Sequence, residues 1–168
     1  GAALITLFKQ AVKMKADIIV TLDSDGQHDP DEIPILLERL TRDDTNIVIG
    51  SRFMTGGGSN APSWRKTGIK FITNLVSEGS GITDSQSGFR AYEKKALNAL
   101  ALTEDGMGLS TEILIKAADN HLKISEVPIN VKYFDGSSTQ EPFRHGTEVA
   151  LTTLKYLSMR RPLVFFGL

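Results

Sequence analysis

The sequence has no cysteine, a single tryptophan, almost no net charge and no long run of apolar residues. Without cysteine there are no disulfide staples, no thiolate zinc sites and no cysteine nucleophiles. Lys and Arg number 19 against 20 Asp and Glu, leaving a net charge of −1. That excludes the global basic field that draws proteins onto nucleic acid, so any bound anion must be held by a local cluster. No segment reaches the ~20 consecutive apolar residues that span a bilayer, and no basic start precedes an apolar core as in a signal peptide. The 168 residues, 40% of them hydrophobic, suffice for one compact domain over positions 1–168 and are too few for two ordinary ones.

The chain opens on a helical apolar stripe, Ala3, Leu4, Leu7, Phe8, Ala11 and Val12, which carries the expectation of sequence upstream. Ala16 to Leu22, ADIIVTL, is a short β-branched run of the kind that forms a central parallel strand covered on both faces. Pro30 suits a short turn, and Pro34 suits the first turn of a helix carrying Leu36, Leu37 and Leu40. Asn46 to Gly50 reads as a second strand, so the alternation of helix and strand predicts an α/β layered sheet. Met54 to Ser63, with three consecutive glycines, predicts an irregular surface loop. Helices are expected over Trp64–Val76, Lys94–Leu102, Ser110–Asn120 and Thr147–Met159, and a strand over Ile124–Tyr133 that Pro128 places near an edge. At the end, Arg160, Arg161 and Pro162 precede Leu163, Val164, Phe165 and Phe166. That junction suits either the approach to a membrane segment or a tail packed on the domain.

The strongest local signal is DSDGQ at positions 23 to 27. Asp23 and Asp25 follow a buried strand, at the sheet edge where open α/β folds bind ligands. Two residues apart in extended chain, their carboxylates point the same way. With the Gln27 amide oxygen nearby and Gly26 permitting a turn, they form an incomplete oxygen cage for a hard divalent cation such as Mg²⁺ or Mn²⁺. The same letters also suit an acidic turn that caps the next helix. An EF-hand loop starting at Asp23 fails, because His28 and Pro34 stand where glycine and glutamate are required. A haloacid-dehalogenase-like phosphohydrolase remains an alternative, although Gln27 replaces its expected threonine and no Gly-Asp pair occurs. A non-catalytic metal-binding or assembly module is a third reading.

The segments DIIVTLDSDGQHDPDEIP, NIVIGSRF, DSQSGFRAY, ISEVPI and HGTEVALTTLKYLSMRRPL, in this order, resemble family 2 glycosyltransferases. The likeness is to polyprenyl-phosphate sugar synthases of the dolichol-phosphate mannosyltransferase type. That resemblance implies an incomplete GT-A fold, a mixed, mainly parallel sheet flanked by helices. It implies a GDP- or UDP-sugar donor, Mg²⁺ or Mn²⁺, inversion at the anomeric carbon, and a lipid-phosphate acceptor at the cytoplasmic membrane face. A protein of this kind is cytoplasmic and peripheral to, or anchored at, that membrane. Asp23 and Asp25 match the family's metal and diphosphate motif, with Gln27 as an additional metal contact. The family's opening strands, which bind the nucleoside, are not found here, so this chain is expected to be the C-terminal part of a catalytic domain. An uncovered sheet edge would then favour a homo-oligomer.

Negative charge develops on the leaving diphosphate, which is the reason for a carboxylate-held cation at Asp23 and Asp25. A neutral acceptor hydroxyl would need a general base, for which Asp84 is the candidate, whereas a phosphate acceptor is already anionic and needs cations. Arg52, Arg90, Arg144 and His145 lie in or beside loops and are the candidate phosphate contacts. Gly88 and Phe89 mark a constrained turn beside Arg90. His28 suits either a phosphate contact or packing against the helix start. Glu112 reads as a first-turn dipole partner and Glu126 as a solvent-facing strand residue or a loop anchor. The polar loop Asp135–His145 suits a segment that orders over substrates, and Lys155, Arg160 and Arg161 suit a membrane surface.

Overall fold

In the computed structural model, which describes residues 1–59, 63–77, 81–104, 106 and 108–132 with positions 151, 154, 155, 158 and 167, the opening stripe is helix α1 (Ala2–Lys13). Leu4, Ile5 and Phe8 on its inner side pack against the core, and Phe8 meets Tyr92 edge-on with ring centroids 5.0 Å apart. Strand β1 (Ile18–Thr21) follows, then a 3₁₀ turn over Pro30–Glu32 and helix α2 (Ile33–Arg42). Both prolines sit where a missing N–H costs nothing, and the Asp29 carboxylate caps the short turn by accepting from the Asp31 amide at 3.0 Å. Strand β2 (Ile47–Ser51), the short β3 (Gly58–Ser59), helix α3 (Ser63–Ser77), strand β4 (Arg90–Glu93), helices α4 (Lys94–Ala99) and α5 (Leu109–Asp119), and strands β5 (Ile124–Pro128) and β6 (Asn130–Val131) complete the order.

The main sheet runs β1-β4-β2-β5. β5 is parallel to β2, while β4 is antiparallel to both β1 and β2. Three strands therefore point one way with β4 reversed between them, so the sheet is mixed as expected but not mainly parallel: two of its three pairings are antiparallel. β2 is its buried centre: Ile47 and Ile49 face a cluster with Phe8, Tyr92, Leu109, Ile113 and Ala117. Val48 faces the opposite cluster with Leu36, Leu40, Phe89, Ala91 and Val127. Each such aliphatic side chain contributes on the order of 2 kcal/mol by leaving water.

Five expectations are corrected. β1 is not the doubly covered central strand: among the described residues it pairs with β4 alone, and Ile18 keeps 38% of its surface exposed. The glycine run is not wholly irregular, because β3 pairs in parallel with β6 in a second, two-stranded sheet. Glycine permits this approach, since a Cβ at Gly58 would stand 2.9 Å from the Asn130 side-chain oxygen. The strand expected from Ile124 onward is two strands in different sheets, and its end at Tyr133 lies outside the described residues. Helix α4 stops at Ala99, short of Leu102. The buried Glu112 carboxylate holds the chain beyond it, accepting from the Thr103 amide (2.9 Å), the Thr103 hydroxyl (2.7 Å) and the Glu104 amide (2.8 Å). That makes Glu112 a loop anchor, not merely a dipole partner. The expected loop Asp135–His145 and most of the last helix fall outside the described residues.

Candidate active site

The carboxyl ends of β1, β2 and β5 and the entry to β4 lie at one end of the sheet, as the pairings Thr21 with Arg90, Ile49 with Arg90 and Ser51 with Pro128 require. The segments after β1, after β2 and before β4 carry nearly every candidate residue to this end.

Asp23 and Asp25 are exposed here, but on a turn, not along an extended chain. The Asp25 carboxylate accepts from the Gln27 amide at 3.0 Å, and Gly26 adopts φ +76°, a left-handed conformation that glycine takes without strain. Asp25 thus builds the turn that displays it, and a carboxylate retains further lone pairs after one such bond. The Gln27 carbonyl accepts from the Lys132 amide at 3.2 Å, tying the turn to the end of β6. The Asp23 side chain is 61% exposed and lies against Gly88, where a Cβ would come within 2.6 Å of Oδ2. Among the described residues no group of three or more acidic, imidazole or thiol side chains forms a closed metal cage. Two accessible hard-oxygen donors, one seated in a cradle that a Cβ would fill, fit an open site whose other positions go to water and phosphate.

His28 stands behind this turn. Its ring packs on Phe89 at 5.3 Å between centroids, its backbone bridges to Val131, and its Nδ1 accepts from the Asp23 amide at 3.4 Å. Burial lowers its pKa below the ordinary 6.5, opposed by the carboxylates of Asp23, Asp25 and Asp84 and reinforced by Arg52. Four site residues therefore act on one neutral imidazole, which serves as packing and not as an exposed phosphate contact.

Arg52 and Asp84 form the most strongly bonded pair in the site. Asp84 is fully buried and takes the Arg52 guanidinium in two bonds, Nε to Oδ2 at 2.6 Å and Nη2 to Oδ1 at 2.7 Å. It also accepts from the Arg52 amide (3.2 Å) and the Gln86 amide (3.3 Å). With both oxygens occupied, this carboxylate is an anchor for Arg52, and its geometry is not that of a base waiting for a proton. Glu126 holds the same loop from β5, accepting from the Thr83 amide (2.9 Å), the Thr83 hydroxyl (2.8 Å) and the Asp84 amide (2.9 Å). Arg90 is 1% exposed and clamps the loop from inside, Nε on the Ser87 carbonyl at 2.8 Å and Nη2 on the Ser85 carbonyl at 2.7 Å. The structure thus brings together Asp23, Asp25, Arg52 and Asp84 and sets Arg90 beneath them. Arg144 and His145 lie outside the described residues. The anchoring by Glu126 was one of two readings of the sequence; its only signal there is a carboxylate inside the apolar ISEVPI strand.

A mixed sheet flanked by helices, with an acidic turn after the first strand, is the arrangement of the GT-A class of folds. Residues 1–101 match glycosyl transferase family 2, and the chain belongs to that family. It is 40% identical over 157 residues to the UDP-N-acetylglucosamine–dolichyl-phosphate N-acetylglucosaminyltransferase of Methanococcus voltae, covering 90% of this chain and 60% of that one. It is 35% identical to the undecaprenyl-phosphate mannosyltransferase of Micrococcus luteus (77% and 55% covered) and 34% identical to the dolichol-phosphate mannosyltransferase of Pyrococcus furiosus (76% and 36%). The chain spans at most about two thirds of the curated relatives it matches. The fold is also that of Mycobacterium tuberculosis glucosyl-3-phosphoglycerate synthase, solved with Mn²⁺, UDP and glucosyl-3-phosphoglycerate. There the TM-score is 0.64 at 20% identity, with 89% of this chain and 52% of that one covered. Family membership sets aside the phosphohydrolase reading.

Proposed function

We propose that the native protein carrying this chain transfers a sugar, with inversion, from a nucleoside-diphosphate-sugar to a polyprenyl or dolichyl phosphate. The observation that carries the reading is the placement of an exposed acidic pair, Asp23 and Asp25, at the same sheet end as Arg52 held rigid by a buried carboxylate. The names of the relatives supply the acceptor class, and the Methanococcus relative supports a uridine donor. Those relatives divide between N-acetylglucosamine and mannose as the sugar.

In this reading Asp23 and Asp25 hold Mg²⁺ or Mn²⁺, with Gln27 beside them. The ion's chemistry is to stabilise the negative charge that builds on the departing diphosphate. The acceptor is a phosphate monoester with its second pKa near ~6, largely dianionic at neutral pH, so no side chain need take a proton from it. Asp84 is then free to orient Arg52, and a fixed guanidinium can meet an anion without first being ordered. Arg90 fixes the loop carrying Asp84, Ser85 and Ser87. Arg144 and His145 remain candidate phosphate contacts on the strength of the sequence alone. Among the described residues no helix is long and apolar enough to cross a membrane. Work at a membrane face on a polyprenyl carrier is proposed from the acceptor, aided by Lys155, Arg160 and Arg161, each contributing about 1 kcal/mol near an anionic surface.

The test is transfer of labelled sugar from a nucleotide sugar to polyprenyl phosphate, with Mn²⁺, by the native protein and its Asp25→Asn variant. Turnover should fall by on the order of 100-fold or more. Unchanged turnover would remove the acidic turn from the mechanism.

A further inference from the structure

We infer that Gly88 is a positioning residue for the metal-binding turn: by lacking a Cβ it leaves the space in which the Asp23 carboxylate sits. The inference rests on the proposed metal role of Asp23. A Cβ built on Gly88 would meet Asp23 Oδ2 at 2.6 Å, Oδ1 at 2.9 Å and Cγ at 3.0 Å, and these are its three nearest atoms. Contacts that short do not occur between real Cβ atoms and their neighbours, so something must move.

The backbone around Gly88 cannot be what moves. Its own carbonyl accepts from the Thr21 hydroxyl at 2.9 Å, fixing it to the end of β1 just before the acidic turn. On one side the Ser87 carbonyl is held at 2.8 Å by Nε of the buried Arg90. On the other the Phe89 carbonyl accepts from the Gly50 amide at 2.8 Å, and the Phe89 ring is fully buried. Three successive carbonyls are thus pinned by three different elements. Asp23, by contrast, ends in an exposed side chain whose Oδ2 lies 3.9 Å from His28 Nδ1, a loose contact that lets the carboxylate turn toward water. An added methyl group would displace the carboxylate and leave the chain in place.

Backbone conformation is not the reason for glycine here. Gly88 does not have the positive φ of Gly26, Gly56 or Gly81, so alanine can adopt its φ without the left-handed penalty. What the position excludes is the Cβ itself. This ties together two sequence segments 65 positions apart, the DSDGQ turn and the SGFR stretch, as one steric unit: the second sets where the first can point its carboxylate. Arg90 gains a defined part in the same unit, since it pins the backbone that makes the contact unyielding.

The experiment is a double-mutant cycle on Mn²⁺ affinity in the native protein carrying this chain, read by water-proton relaxation of the bound ion. The four proteins are the wild type, Gly88→Ala, Asp23→Ala and the double variant, and metal-free thermal unfolding runs in parallel. Gly88→Ala should weaken Mn²⁺ about 10-fold, the scale seen when a group orienting a metal ligand is changed, and leave the metal-free midpoint where it is. In the Asp23→Ala background the same substitution should cost nothing further, because the atoms it would displace are gone. Wild-type affinity in Gly88→Ala beside weakened Asp23→Ala would overturn this inference alone, as would a loss that adds equally in both backgrounds or a Gly88→Ala chain that fails to fold. Unchanged affinity in Asp23→Ala, or no Mn²⁺ signal in the wild type, would sink the metal role of Asp23 and the inference with it.

Discussion

Glu126 sits on β5 with both carboxylate oxygens occupied by the Thr83 and Asp84 segment, 42 and 43 residues away in sequence. Replacing it with glutamine leaves one backbone N–H facing an NH₂ group where it had an acceptor, a loss of about 1–3 kcal/mol. Glu126→Gln should therefore lower stability by that amount in urea unfolding and raise KM for the acceptor phosphate more than it lowers kcat, since Arg52 loses the support behind Asp84. A second prediction concerns Tyr92, whose phenol burial raises above the ordinary 10.0, with Arg90 and Thr21 partly opposing. The folded state keeps that proton where the unfolded chain releases it, so the stabilisation is complete below pH 10 and is lost as pH rises beyond it. Tyrosinate absorbance should show one of the three tyrosines ionising only as the protein unfolds, and Tyr92→Phe should abolish that step. The place of Asp23 and Asp25 just after β1 was legible in the sequence because strand, turn and acid are adjacent. The anchoring roles of Glu112 and Asp84 were not, and that of Glu126 was one of two readings. A hydrogen bond to a separate loop, 8 or 9 residues away for Glu112 and 32 or more for the others, leaves no local pattern.

At the scale of elements, the helices over the described residues were read within a few residues because their apolar spacing is local, and so were the two proline turns. β1, β2 and the stretch holding β5 and β6 were read as strand segments, whereas β3 was expected as loop, β4 was not read as a strand, and the places of the strands in the sheet were not legible. ADIIVTL looks as central as NIVIG, yet β4 inserts between them and leaves β1 paired on one side among the described residues. The same holds for β3, where the glycines serve close approach and not disorder. Two glycines separate these cases by experiment. A Cβ at Gly57 would lie 2.7 Å from the Ser51 carbonyl oxygen and 3.1 Å from that of Ile129, both backbone atoms, whereas at Gly68 in α3 it would meet nothing within 4 Å. Gly57→Ala should destabilise the protein by about 1–3 kcal/mol through overpacking. Gly68→Ala should stabilise it by up to about 1 kcal/mol through helix propensity. Thermal unfolding of the two variants checks both signs.

For the molecule as a whole, the order of segments carried the GT-A expectation, and the sheet explains why that order matters. Reversal of β4 brings its entry loop, with Asp84 and Gly88, to the same end as the exits of β1 and β2, so residues from distant stretches converge on one acidic turn. The central claim is that Asp23 and Asp25 grip a divalent ion there against a diphosphate. Its most direct test is the anomalous scattering of manganese in crystals of the native protein grown with Mn²⁺ and a nucleotide sugar. The account predicts a single strong peak coordinated by oxygens of Asp23 and Asp25 and by the diphosphate. A peak elsewhere, or a diphosphate bound with both carboxylates turned away from the metal, would contradict it.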